Sequence, residues 1–159
     1  MPSESKPTKA VKLFVSYSHK DERHKGQLLN HLSPLMRQGA IERWDDREIE
    51  AGDEWEKELL KHFNEADMIL CLISSSFISS DYCYNIEMRS ALDKQKAGKV
   101  RVIPILLQAV DWKKTPFHEL QIIPRDNKAI LSQHDRPKAF TKVAEEIGKV
   151  VDALNARNA

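Results

Sequence analysis

The side chains with the most chemical scope gather at the ends of predicted strands. Glu87 stands one turn into a helix that follows the chain's most apolar run, residues 68–73, and Cys83 precedes it by four residues on the same helical face. Between run and helix lies Ser74-Ser75-Ser76-Phe77-Ile78-Ser79-Ser80-Asp81, whose hydroxyls can cap a helix or contact a sugar. Tyr17 and Ser18 close the first strand, and Trp44 closes the second. Each has an ordinary structural reading as well. A carboxylate in the first turns of a helix suits the macrodipole and is commonly a solvated surface group, and a lone Trp is commonly core. Only convergence at one edge of a sheet gives these residues a joint functional reading, with Glu87 as the candidate catalytic carboxylate.

That convergence needs elements to position it. Residues 1–10, with two Pro and two Ser and no periodicity, read as a flexible N-terminal tail, and residues 11–156 as one domain. Val11-Lys12-Leu13-Phe14-Val15-Ser16-Tyr17 is short, β-rich and apolar, a buried strand. Asp21 is a plausible N-cap for a helix whose Leu28, Leu29, Leu32, Leu35 and Met36 recur at three- and four-residue spacing, with Gly39 as its stop. A short strand over 41–44 leads into a charged loop, 45–53, in which Ile49 is the one apolar residue it could offer to a partner. A helix through Trp55, Leu59, Leu60 and Phe63 precedes the run at 68–73, which reads as a central strand buried on both faces. The spacing then predicts a helix over about 82–96 ending near Gly98, and a fourth strand over 100–107 with an irregularity at Pro104. A short fifth strand follows at 128–131, and a last helix begins at about Pro137. Strand–helix alternation of this kind predicts an α/β fold, a flavodoxin-like doubly wound sandwich with a five-stranded parallel sheet. Such sheets bind ligands beyond the carboxyl ends of their strands, where the strand order reverses. Residues 17–21, 44–53 and 74–87 occupy those ends.

Several chemistries drop out. No GxGxxG or GxxxxGK[ST] is present, and Gly26, Gly39, Gly52, Gly98 and Gly148 are too scattered to form a phosphate-cradling loop. No GxSxG provides a nucleophile elbow. A phospho-acceptor receiver needs acids after its first and third strands, where this chain has Tyr17-Ser18 and Ile73-Ser74. The six histidines are dispersed with no metal-ligand spacing, so no metal site is expected. With 25 Lys and Arg against 24 Asp and Glu, the net charge of +1 offers no field for nucleic acid, and no nucleic-acid partner is expected. No apolar run approaches the roughly 20 residues of a membrane span, so no membrane association is expected either. Cys71 and Cys83 form no CxxC pair and read as reduced thiols of an intracellular, cytoplasmic protein.

The residues that remain resemble a Toll/interleukin-receptor (TIR) domain, particularly the bacterial NAD-cleaving branch. Phe14-Val15-Ser16-Tyr17-Ser18 with Asp21 is similar to the family's first box, residues 45–52 to its long loop after the second strand, and Val102-Ile103-Pro104-Ile105 to its fourth strand. Ser80-Asp81-Tyr82-Cys83-Tyr84-Asn85-Ile86-Glu87 resembles the motif that carries the family's catalytic glutamate. There are two departures. Cys83 stands where the family often has Trp, and only Gly52 remains of a frequent Pro-Gly.

The resemblance implies one of two functions. Some members cleave the nicotinamide–ribose bond of NAD to ADP-ribose or a cyclic isomer, switched on by self-assembly in immune or defence signalling. Others are non-catalytic adaptors that act by TIR–TIR association. For the first, Glu87 is the catalytic residue and Tyr17, Ser18, Trp44, Asp45 and Cys83 bind the substrate. NAD is then a substrate, and no further cofactor is implied. For either, Asp46, Ile49 and Gly52 belong to the assembly loop, and the partners are other TIR domains. A flavodoxin-like nucleotide binder without turnover is the third reading.

Overall fold

The computed structural model describes residues 10–43, 55–80 and 86–158. The N-terminal tail, the loop that follows the second strand and the segment around Cys83 lie outside the described residues.

Four strands, β1 (Val11–Ser16), β2 (Ile41–Arg43), β3 (Met68–Ile73) and β4 (Arg101–Leu106), form a parallel sheet in the order β2-β1-β3-β4. Strands β1 and β3 are central, and every residue of β3 is buried, as its unbroken apolar run requires. The order reverses between β1 and β3, in the flavodoxin-like manner, so the crevice at their carboxyl ends is the topological switch point. On one face, Leu13 of β1 and Met68, Leu70 and Leu72 of β3 pack against α1 (Glu22–Arg37) and α5 (Arg136–Asn158). On the other, Phe14, Ile69, Cys71 and Ile73 pack against Phe63 of α2 (Trp55–Glu65), Phe77 of α3 (Ser75–Ile78), and Met88 and Ala91 of α4 (Ile86–Lys96). The alternation along β1 and β3 is what divides the core in two.

Of the stripe its spacing predicts, helix α1 buries Leu28, Leu29 and Leu32 and partly buries Leu35 and Met36, and it buries Lys25 besides. Pro34 sits inside its last turn and cannot donate to the carbonyl of Asn30. The Ser33 hydroxyl donates to that oxygen instead, at 2.7 Å. The helix ends at Arg37, and Gly39, at φ 75°, turns the chain so that its own N–H and that of Ala40 reach the carbonyls of Met36 and Leu35.

Pro104 does not interrupt β4. Its carbonyl accepts from the Ile123 N–H at 2.9 Å, on the side of the strand away from β3, so the missing proline N–H falls outside the β3 ladder.

The expected fifth strand is corrected: among the described residues the sheet has four strands. Ile123 makes a single bridge to Ile105, and the chain then turns at Pro124 to Asn127, where the Asn127 N–H donates to the Pro124 carbonyl. Residues 128–131 touch the sheet through one bond, Leu131 N–H to the Leu107 carbonyl at 3.0 Å, and pass into a 3-10 turn, Ile130–Ser132. Ala129 and Ile130 still bury in opposite halves of the core. The segment therefore has a strand's hydropathy without a strand's hydrogen bonds.

Candidate functional site

Beyond β1 the chain enters a 3-10 turn, His19–Asp21, that runs directly into α1. Ser18 is extended, and its Oγ accepts from the Lys20 N–H at 3.3 Å, so this hydroxyl caps the turn. Tyr17 packs toward the α1/α5 half of the core. Its hydroxyl donates to the Glu22 carboxylate and accepts from Lys25 Nζ at 3.1 Å. The same ammonium lies 4.6 Å from the centre of the Tyr17 ring and 3.1 Å from Glu22 Oε1. The Lys25 side chain is only 6% exposed, and an ammonium so withdrawn from water needs such neighbours: an aromatic face, a hydroxyl and a carboxylate.

Asp21 occupies the N-cap position of α1 but makes no capping bond there, which corrects the role expected of it. Its buried carboxylate instead accepts from the Ser74 hydroxyl, 53 residues away at the carboxyl end of β3. Ser74 Oγ in turn accepts from the Phe77 N–H at 3.1 Å and caps α3. One buried hydroxyl thus ties the β1–α1 turn to the β3–α3 turn, across the switch point. Two more serines of the run are engaged locally: Ser79 Oγ donates to the Ser76 carbonyl and Ser80 Oγ to that of Phe77. From just beyond β4, the Gln108 side chain accepts from the Ser75 N–H at 2.8 Å.

Glu87 is the second residue of α4, directly before Met88 and one turn before Ala91, both buried against the β3 face that carries Cys71 and Ile73. Trp44, Asp45, Asp46, Ile49, Gly52 and Cys83 lie outside the described residues. Of the expected substrate-binding residues, Tyr17 and Ser18 come to the carboxyl end of β1, with the Tyr17 ring on the sheet face opposite α4. The last residue of β1, Ser16, follows Phe14 on the α4 face, paired in register with Cys71 and 2% exposed. Sequence reasoning passed over it, although the alternation from Phe14 points to it. Among the described residues no group of His, Cys, Asp and Glu could hold a metal ion, and no helix is long and apolar enough to cross a membrane.

A family model for the TIR domain matches residues 13–143. A protein of Sinorhizobium fredii (strain NBRC 101917 / NGR234), y4lF, is 47% identical over 135 residues, which span 85% of this chain and 42% of that protein. The chain thus covers less than half of this relative's length. Among solved structures, the TIR domains of the activated Roq1 resistosome, which directly recognises the pathogen effector XopQ, superpose with a TM-score of 0.50 at 23% identity, over 86% of this chain and 84% of that one. A prokaryotic SEFIR domain gives a TM-score of 0.46 at 20% identity, over 86% of this chain and 91% of its own. The family-model match, which spans more than half of the chain, defines the class: this chain belongs to the TIR domain family.

Proposed function

We propose that this domain cleaves the nicotinamide–ribose bond of NAD, with Glu87 as the catalytic residue. The observation that carries this reading is the position of Glu87. It lies in the first turn of α4, on the sheet face beyond the switch point, in a chain that belongs to a family with NAD-cleaving members. The chemistry needs one carboxylate. The bond between the ribose anomeric carbon and the ring nitrogen breaks, and its electron pair neutralises the pyridinium. Nicotinamide leaves as a neutral molecule, so no general acid is required. The ribose becomes oxocarbenium-like. An ionised carboxylate beside the ribose hydroxyls interacts more strongly with that developing cation than with the ground state, which is the condition for acceleration. Water then adds to the anomeric carbon and loses a proton, giving ADP-ribose; an adenine nitrogen or ribose hydroxyl folded back in its place gives a cyclic product.

Trp44 stacks on the nicotinamide or adenine ring in this reading, an interaction worth roughly 0.5–2 kcal/mol. Asp45, Cys83 and Ser18 form its surroundings, whereas Tyr17, expected among them, has its ring on the opposite face with Lys25 and Glu22. Asp46, Ile49 and Gly52 belong to the loop through which copies of the domain associate, and association switches on turnover in defence signalling. The test is incubation of the concentrated protein with NAD and separation of the products by chromatography. Glu87→Gln is expected to lower turnover by about 100-fold or more, the scale of losing one preorganised electrostatic partner. Turnover equal to the wild type would remove Glu87 from the mechanism. Intact NAD at high wild-type concentration, together with association lost in Ile49→Ala, would favour the adaptor function.

A further inference from the structure

Ser16 Oγ is a buried side-chain oxygen with no hydrogen-bond partner among the described residues. Folded proteins pair nearly all such groups, and this one contrasts with its neighbours. Ser18, Ser74, Ser80 and Thr115 each hold a partner within the chain. Ser16 is the last residue of β1, in register with Cys71 of β3, so it stands at the switch point where the strand order reverses. The alternation along β1 directs it to the half of the core that holds Phe14, Cys71 and Met88, the half that α4 covers. A hydroxyl lacking a partner among the described residues, at the crevice beside the helix of Glu87, has the character of a group whose partner arrives with the ligand.

We infer that Ser16 is a substrate-contacting residue, its hydroxyl bonding a ribose hydroxyl in the nicotinamide half of the nucleotide. This rests on the NAD-cleaving reading above and adds a residue to that site. The chemistry selects the sugar. A serine hydroxyl both donates and accepts, which matches a ribose hydroxyl. A phosphate calls for a cation, and the buried ammonium near this strand end, Lys25, is bound to Tyr17 and Glu22 around a ring on the opposite face.

The experiment compares the wild type with Ser16→Ala at equal, high protein concentration. It measures NAD turnover, the melting temperature without ligand, and the rise in melting temperature with saturating ADP-ribose. Removing an oxygen that has no partner among the described residues is expected to leave the unliganded melting temperature unchanged or raised. Removing a ligand contact lowers kcat/KM for NAD by about 3- to 10-fold, the worth of one neutral hydrogen bond, and shrinks the ADP-ribose shift. That combination supports the assignment. A melting temperature lowered by several degrees with kcat/KM unchanged overturns it, because the hydroxyl then serves the fold. A variant matching the wild type in all three measurements overturns it too, while leaving the NAD-cleaving reading standing. A wild type that neither turns over NAD nor gains stability from NAD or ADP-ribose overturns both.

Discussion

Ser74→Ala tests the link that crosses the switch point. The hydroxyl is 2% exposed, donates to a carboxylate that is 9% exposed, and accepts from the Phe77 N–H. Its removal leaves the Asp21 carboxylate short of a donor in a water-poor setting, a loss of about 1.5–3 kcal/mol for a hydrogen bond to a charged group. It also uncaps α3, at about 0.5–2 kcal/mol. The two overlap, because one atom serves both, so the expected cost is about 2–4 kcal/mol. With a urea slope of about 2 kcal/mol per molar, the unfolding midpoint falls by roughly 1–2 M at unchanged slope. Asp21→Ala removes the same bond from the other side, so the double variant Asp21→Ala/Ser74→Ala is less destabilised than the sum of the singles, by about 1–2 kcal/mol. A Ser74→Ala loss below about 0.5 kcal/mol, or strict additivity in the double variant, would refute the claim that this pair joins the two strand ends.

Two further outcomes follow from the described geometry. At Gly39, φ is 75° and an added Cβ meets nothing within 4 Å, so Gly39→Ala carries backbone strain alone. Thermal unfolding should place the cost at about 1–2 kcal/mol, and Gly39→Asn, which tolerates the left-handed region better, at less. On α5, the Arg125 hydrogen bond to Glu146 at 3.0 Å, aided by Lys149, holds the Glu146 carboxyl below its ordinary value of 4.5, against a smaller opposing effect of burial. A depressed carboxylate pKa stabilises the fold fully above the unfolded value and loses that contribution as pH falls through the folded one. Arg125→Ala should therefore cost about 0.2–1 kcal/mol at pH 7, given that Arg125 is 67% exposed, and almost nothing at pH 2 to 3. A difference that persists undiminished in acid or in molar salt would assign the effect to the arginine's stem rather than its charge.

Local chemistry was enough to write most of the scaffold from the amino acids. The unbroken apolar run of β3, the three- and four-residue spacing along α1 and the glycine at position 39 each act within a few residues, and the structure has them where the spacing predicts. Strand–helix alternation is likewise a local signal, and it carried the doubly wound arrangement and the crevice where ligands are to be sought. Residues 128–131 show where this kind of reading stops. Ala129 and Ile130 bury to opposite sides as strand residues do, but whether a segment joins a sheet depends on backbone bonds to β4, and this one makes a single bond, to Leu107 just past that strand's end. Asp21 shows it again. Its position next to α1 suggests a cap, while its partner stands 53 residues away on another strand.

Position and residue type alone thus determined the first-strand box, the existence of the helix that carries Glu87 and the outline of the core. Tertiary structure decided which side chains share a face with that helix. It set Tyr17 against Lys25 and Glu22 on the far side and left Ser16 on the near one. The physical reason is that hydropathy and spacing act along the chain, whereas the choice of a hydrogen-bond partner, and of the helix that covers each sheet face, is made only when distant segments are brought into contact.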